Sequence, residues 1–153
     1  MKAIKRIIEK LNGVKKMSEK TVEKAEFNYL SKKPGVQLIK AGTYKKIELN
    51  KVLGIPAVKS QIIDVPITSK ENALSLGYFS MQPGEEFEFT YTFLEVKTVL
   101  NGKIVIRDDQ GKKYVAEAGD VLIFSPDTTV IFDGESDGDA IYTGHRLPEP
   151  LFM

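Results

Sequence analysis

The chain has 153 residues, of which 42% are hydrophobic and 28% charged. This composition fits one soluble globular domain and excludes a wholly disordered chain. The sequence has no cysteine and a single histidine, His145, which excludes disulfides, thiolate nucleophiles and multi-histidine metal centres. No apolar run is long enough to cross a membrane, and the N-terminal residues do not resemble a secretory signal. We therefore expect a cytoplasmic protein with no membrane partner.

The net charge of +1 conceals two oppositely charged parts. Residues 1–35 hold ten Lys/Arg and four Asp/Glu, whereas residues 36–153 hold twelve Lys/Arg and seventeen Asp/Glu. A basic arm on an acidic body could bind an anionic partner, but acidic residues interrupt the basic run, which favours a solvated helix face. Because the acidic body repels phosphate, we expect no nucleic-acid partner.

The N-terminal part reads as a helical arm. Four apolar residues in residues 2–12 follow the spacing i, i+3, i+4 and i+7, which predicts a short amphipathic helix; they are Ile4, Ile7, Ile8 and Leu11. Residues 18–28 predict a second, weaker helical stretch. Lys32 to Gly35 form a turn. We therefore divide the chain into an amphipathic arm, residues 1–34, and a body, residues 35–153.

Short apolar segments separated by turn residues follow one another through the body. They predict strands over 36–39, 46–49, 62–65, 73–79, 86–100, 103–107, 113–116, 121–124, 129–132 and 140–143. Asn101-Gly102 between two apolar segments indicates a type I′ hairpin turn. Residues 133–139 read as a polar loop. Strands at a spacing of roughly ten residues predict an all-β sandwich or barrel.

The segment from Pro83 to Phe132 resembles the two-motif core of a cupin. Glu95 matches the glutamate of the first motif and Gly102 its closing glycine, while the run from Gly119 to Asp127 resembles the second motif. This resemblance implies a double-stranded β-helix, or jelly-roll barrel, preceded by the helical arm.

Further segments narrow the resemblance to the EutQ family of ethanolamine-utilisation proteins. The segments are 35–42, 76–81, 89–95, 99–103 and 116–122. The resemblance implies a role in ethanolamine catabolism, association with a bacterial microcompartment and acetate kinase-type activity. It also implies a homodimer, since cupins commonly dimerise.

The metal ligands of a common cupin are absent from this sequence. The two histidines that usually precede the glutamate would fall within residues 88–91, and the histidine of the second motif near residues 129–131, yet neither segment contains one. Glu95, with Glu88 and His145, would leave only a mixed ligand set. EutQ-type cupins also lack the metal triad, so the resemblance likewise implies a metal-free site.

Glu95 is the first candidate for a catalytic residue. An inward carboxylate in a low-dielectric interior is suited to general acid–base chemistry. The alternative is a structural glutamate that pairs with Lys97 or Arg107. The family's Tyr-Asp pair before the glutamate is replaced here by Phe93 and Leu94, and Tyr91 is the nearest residue that supplies a hydroxyl.

Candidate binding residues surround these two. Phe89 and other phenylalanines predict either core packing or the wall of an apolar pocket. Lys97 and Arg107 are the candidate cations, and His145 together with Arg146 could bind an anion at the mouth of the barrel. A solvated end of the last strand is the alternative for His145.

Three functions follow as alternatives. An acetate kinase-type enzyme would need Mg²⁺ and ATP, yet neither Gly102-Lys103 nor Gly111-Lys112 lies in a phosphate-binding loop motif. A cupin could instead bind a small molecule in its barrel without catalysis, or act as an assembly factor. In the last case Ile4, Ile7, Ile8 and Leu11 would dock on shell or core proteins of a microcompartment, unless the helix packs on its own barrel or on a dimer mate.

Overall fold

The computed structural model describes residue 30, residues 35–68 and residues 73–153 of the chain. The predicted helices over 2–12 and 18–28, and most of the turn at Lys32 to Gly35, lie outside these residues. The described part is mostly β-structure, which confirms the all-β prediction. Its strands are β1 (Ile47–Glu48), β2 (Ser60–Pro66), β3 (Ser75–Met81), β4 (Phe87–Tyr91), β5 (Glu95–Asp108), β6 (Lys113–Glu117), β7 (Val121–Phe124), β8 (Thr128–Phe132) and β9 (Asp137–Gly144). A short helix, α1 (Leu49–Leu53), and a 3-10 helix, Pro150–Phe152, complete it.

One antiparallel sheet contains all nine strands and curls around a core. Its main order is β1-β2-β3-β9-β5-β8-β4. The long strand β5 also pairs with β7 through its first residues and with β6 through its last. Because β5 contacts four other strands, it joins the two sides of the curled sheet, and its inward side chains face the centre of the fold.

Aromatic side chains fill much of the concave face. Phe87 and Phe132 stack with ring centroids 5.0 Å apart, and Phe79 lies 5.4 Å from Phe132. Tyr91 stacks on Phe124 at 4.2 Å. These rings come from four different strands, so they hold the curled sheet together in addition to burying apolar area.

The predicted hairpin at Asn101-Gly102 is wrong, because β5 runs straight through these residues. Val99 pairs with Ala140 and Asn101 with Asp139, which leaves one extra residue in β5 as a β-bulge. Gly102 has φ +61°, and a Cβ atom there would lie 2.1 Å from the carbonyl oxygen of Asp137. A bulge can use the left-handed glycine that a type I′ turn would also require, so the dipeptide signal does not distinguish the two.

Four other segments differ from the prediction. The stretch 86–100 is not one strand, because residues 92–94 separate β4 from β5. Residues 36–39 form no strand, and Val36 and Leu38 are exposed. Residues 49–53 form α1 instead of ending a strand, because the helical turn buries both Leu49 and Leu53 against the core. The last strand begins at Asp137, inside the expected loop. No helix in the described part of the chain is long and apolar enough to cross a membrane.

Candidate functional site

A cavity lies on the concave face of the sheet, between the sheet and the two short helices. Its enclosed volume is about 40 Å³, and it opens to solvent at its mouth. The lining is mostly aliphatic and aromatic. Its polar members are two cationic side chains, one carboxylate and two tyrosine hydroxyl groups. The lining residues are Leu49, Val52, Leu53, Ile62, Phe79, Phe87, Phe89, Tyr91, Phe93, Glu95, Lys97, Phe132, Tyr142, Arg146 and Phe152.

The alternation of β5 places Glu95 and Lys97 side by side in this cavity. Side chains of successive strand residues point to opposite faces. Glu95, Lys97 and Val99 are buried, whereas Val96 is exposed and Thr98 only partly buried. Glu95 and Lys97 are oppositely charged and two positions apart, so both side chains face the interior. The pairing of β5 in the sheet fixes the backbone of both residues.

Glu95 is held by two partners. Its Oε1 atom lies 3.1 Å from Nζ of Lys97, and both side chains are almost fully buried. The same oxygen accepts a hydrogen bond of 3.1 Å from the hydroxyl of Tyr91. Burial, together with the nearby Glu95 charge, raises the pKa of Tyr91 well above its ordinary value, so the phenol stays protonated and donates at neutral pH.

Aromatic rings surround the ammonium group of Lys97. Its Nζ atom lies 4.4 Å from the ring centroid of Phe79, 4.7 Å from that of Tyr142 and 5.4 Å from that of Phe132. Ring faces attract a cation at such distances, and the attraction grows when water is excluded. The rings and Glu95 together compensate for the hydration that the ammonium has lost.

A second buried pair lies beside the first. Asp64 pairs across the sheet with Gly77, Gly77 with Tyr142, and Tyr142 with Lys97. A Cβ atom on Gly77 would lie 2.0 Å from Cζ of Tyr142, so the tyrosine ring crosses the space that a side chain would occupy. Its hydroxyl thereby reaches Asp64, to which it donates a hydrogen bond. Gly77 is therefore required for this contact.

Arg146 completes the second pair and joins it to the C-terminal segment. Its Nη2 atom donates to Oδ1 of Asp64 at 2.9 Å, and Nη1 contacts Oδ2. Burial disfavours the charge of Arg146, but the Asp64 carboxylate outweighs this effect and raises the pKa of the guanidinium. Asp64 also accepts the backbone N–H of Glu149 at 2.7 Å, which helps to hold Phe152 against the cavity.

Four of the predicted site residues meet in the cavity: Phe89, Tyr91, Glu95 and Lys97 all line it. Glu95 was predicted to be either an inward catalytic carboxylate or a structural glutamate paired with a cation. Its side chain is inward and is also paired with Lys97. The catalytic and binding roles assigned to these residues stay predictions.

The other two predicted residues lie elsewhere. Arg107 is not part of the cavity lining and forms ion pairs with Glu86 and Asp133 at the surface. His145 is exposed, and its neighbour Arg146 points the other way, into the cavity and onto Asp64. The expected joint anion site of His145 and Arg146 is therefore not formed, because Arg146 is paired with Asp64 while His145 faces solvent just after the end of β9.

Sequence reasoning missed Asp64 and Tyr142 and misjudged Arg146. One signal was available for Asp64: a single acid within the apolar run of residues 62–65 indicates a buried carboxylate that needs a cation. Nothing in the sequence identified Arg146 as that cation, since the two residues are 82 positions apart.

The charges at the floor of the cavity form two neutral pairs, and this determines what the site can do. The structure shows no group of three or more His, Cys, Asp or Glu side chains in residues 30, 35–68 and 73–153 that could hold a metal ion. Each carboxylate already has a cation and a phenol as partners. The arrangement can enclose a small apolar molecule beside a fixed pair of opposite charges.

Comparison with known proteins relates this arrangement to a family. The sequence matches the family described as ethanolamine utilisation protein EutQ over residues 1–146. It has no significant match among curated proteins. Among solved structures, the EutQ protein of Clostridium difficile is similar with a TM-score of 0.62 at 22% identity, over 72% of this chain and 80% of that one.

Two further solved structures share the fold. KdgF from Halomonas sp. has a TM-score of 0.55 at 14% identity, over 73% of this chain and 96% of that one. The cupin domain of Schizosaccharomyces pombe Cnp3 has a TM-score of 0.51 at 14% identity, over 70% of this chain and 72% of that one. The fold is that of a cupin, as the sequence predicted. Since the family match spans residues 1–146 of 153, this protein belongs to the EutQ family of ethanolamine utilisation proteins.

Proposed function

We propose that this protein acts in ethanolamine catabolism as a cupin that binds a small molecule in the cavity above Glu95 and Lys97. The observation that carries the proposal is the Glu95–Lys97 ion pair, buried at the floor of an otherwise apolar cavity. The aromatic lining supplies contact area for a ligand, and the pair supplies a fixed dipole that orients it.

The energetics of buried ion pairs support a functional reading. Replacing such a pair by apolar residues of similar volume is often neutral or stabilising, by about 1–4 kcal/mol. A fold selected for stability alone therefore gains little from charges at this position. In this proposal the two charges contact a ligand in the adjacent cavity, a role that core packing alone does not require.

A thermal-shift series tests the proposal. Two small neutral compounds, ethanol and acetone, and four charged compounds, ethanolamine, acetyl phosphate, ADP and ATP, are each added to the wild-type protein and to Glu95→Gln, with Glu88→Gln as the matched control. Glu88 lies on β4 but is absent from the cavity lining. A ligand that binds the folded state raises the midpoint by mass action. We expect a neutral compound to give a shift in the wild type and in Glu88→Gln but not in Glu95→Gln, and the charged compounds to give none. Equal shifts in all three proteins would place binding elsewhere, and none with any compound would contradict the proposal for these ligands.

Acetate kinase-type transfer, with Mg²⁺ and ATP, is not part of this proposal. Phosphate and Mg²⁺ sites depend on cations and carboxylates that are free to bind the incoming groups. In the cavity, Lys97 is paired with Glu95 and Arg146 with Asp64. Formation of acetyl phosphate from acetate and ATP by the purified protein, lost in Glu95→Gln but retained in Glu88→Gln, would overturn this conclusion.

We also propose that the protein associates with a bacterial microcompartment through its N-terminal residues. The proposal depends on the family and on the apolar spacing of residues 2–12, which lie outside the described residues. A fluorescent fusion should form puncta with the full chain and become diffuse when residues 1–15 are deleted. Puncta that persist after the deletion would contradict this role.

A homodimer is the third part of the proposal. The outward face of β5 and β7 carries exposed apolar side chains, and Val96 and Ile123 are direct cross-strand partners there. Among the described strands β7 pairs only with β5, so its other edge is available for pairing with a second copy. Light scattering should give a dimer mass for the wild type and a monomer mass for Ile123→Lys. A monomeric wild type would contradict the proposal.

A further inference from the structure

Lys97 is the one primary amine among the described residues that line the cavity. Its exposed fraction is 3%, and Glu95 lies at hydrogen-bond distance from its nitrogen. Lysine is the residue type whose amine forms covalent imines with carbonyl compounds. A carboxylate in contact with the amine can take the proton that must leave before the nitrogen can react.

We propose that Lys97 forms a reversible imine with a small neutral aldehyde or ketone held in the cavity, with Glu95 as the proton carrier. The inference depends on the proposed function, since the ligand occupies the same cavity, and it names the chemical class of that ligand. Nothing in the chain other than Lys97 and Glu95 takes part in the covalent step.

The step balances without a cofactor. The ammonium of Lys97 gives one proton to the Glu95 carboxylate, and the free amine adds to the carbonyl carbon. A C–N bond forms as the C–O π bond breaks, and a proton moves from nitrogen to that oxygen to give a carbinolamine. Glu95 returns its proton to the hydroxyl group, which leaves as water. The products are a protonated imine, one water molecule and the original carboxylate.

The cavity explains why the ligand is small and uncharged. Apart from the paired charges and the two phenols, its walls are hydrocarbon. A charged ligand would leave its charge uncompensated there, which is costly. The enclosed space of about 40 Å³ admits only a few non-hydrogen atoms, since a single water-sized sphere occupies roughly 10–15 Å³. The rings of Phe79, Phe132 and Tyr142 around Nζ suit the protonated imine as well as the ammonium, since both are cations.

Tyr91 has a positioning role. Its hydroxyl donates to the same Oε1 atom of Glu95 that contacts Lys97. This bond fixes the carboxylate beside the amine.

Reductive trapping tests the inference. The full-length protein is incubated with propionaldehyde and sodium cyanoborohydride, and alkylation of each lysine is followed over time by peptide mass spectrometry. Exposed lysines such as Lys51 and Lys112 give the background rate in the same sample. We expect Lys97 to be alkylated at least roughly ten times faster than these lysines, despite its burial. This advantage should disappear in Glu95→Gln and persist in Glu88→Gln.

Two controls separate imine formation from a loss of folding and from ligand binding without a covalent bond. Lys97→Arg keeps the charge but cannot form an imine, so its far-UV circular dichroism should match the wild type while the rapid alkylation is lost. Lys97 alkylation no faster than background, with ligand-dependent thermal shifts still present, would overturn the imine and leave ligand binding intact. Absence of both would overturn both. Rapid alkylation that Glu95→Gln does not change would remove Glu95 from the step and contradict the inference as stated.

Discussion

Removal of one partner of the Glu95–Lys97 pair should destabilise the fold more than removal of both. In Glu95→Gln the Lys97 ammonium stays buried without a counter-charge, and in Lys97→Met the carboxylate does. At the observed separation of 3.1 Å, the Coulomb attraction is about 5 kcal/mol with an effective dielectric constant of about 20. Breaking a buried pair in this way costs about 3–5 kcal/mol in other proteins. The two figures agree, so we expect each single variant to lose about that much.

Chemical and thermal denaturation would measure the effect. For a chain of 153 residues, a loss of about 3–5 kcal/mol corresponds to a fall in the melting temperature of roughly 10–15 °C. The double variant Glu95→Gln/Lys97→Met has no unpaired charge and should be more stable than either single variant, with a coupling energy of about 3 kcal/mol. The matched control is Glu135→Gln, which breaks the exposed pair with Lys113 and should cost at most about 1 kcal/mol.

The reasoning is refuted if the single variants lose no more stability than this surface control. It is also refuted if the losses of the two single variants simply add in the double variant, because additive losses mean that the two groups do not interact.

Two further predictions concern contacts around the cavity, and a third concerns a carboxylate outside it. Gly77→Ala should lower the free energy of unfolding by roughly 3 kcal/mol or more, since the new Cβ would lie 2.0 Å from the Tyr142 ring. In denaturation experiments, Tyr142→Ala in the same chain should recover part of that loss. Full additivity would contradict the clash. Tyr91→Phe removes the hydrogen bond to Glu95 and should cost about 1.5 kcal/mol, whereas Tyr78→Phe, on the opposite face of β3, should be nearly neutral; equal effects would argue against the Glu95 contact. The backbone N–H of Glu135, aided by nearby cations, lowers the pKa of Asp133. This carboxylate therefore stabilises the fold at neutral pH, and the stabilisation is lost as pH falls from about 5 towards 2. The pH dependence of unfolding in that window should be weaker in Asp133→Asn, and an unchanged slope would contradict it.

Local patterns were enough to predict most of the strands. The strand over 121–124 is observed with the predicted bounds, because a short continuous apolar run between two turn signals leaves few other conformations. The Asn101-Gly102 bulge shows where local reasoning fails. The dipeptide determines the backbone conformation, but the pairing of β5 with β9 determines whether that conformation ends a strand or bends it.

The site was predictable where it depends on strand alternation and unpredictable where it depends on distant contacts. Glu95, Lys97 and Tyr91 are close in sequence, so an inward Glu95 brings Lys97 with it. Asp64 and Arg146 come together only through the register of β2, β3 and β9, which no local pattern specifies. For the same reason the exposed His145 and the inward Arg146 could not be distinguished before the end of β9 was placed.

The environment of the Lys97 ammonium is the most direct test of the account, because ligand binding and imine formation both require it in the cavity. Heteronuclear NMR of protein labelled with carbon-13 at the lysine ε-carbons would observe it, with Lys97→Arg assigning the signal. The account predicts one ε-methylene resonance shifted upfield by the rings of Phe79, Phe132 and Tyr142, which moves when a small carbonyl compound is added. A Lys97 resonance that coincides with those of the exposed lysines would contradict it.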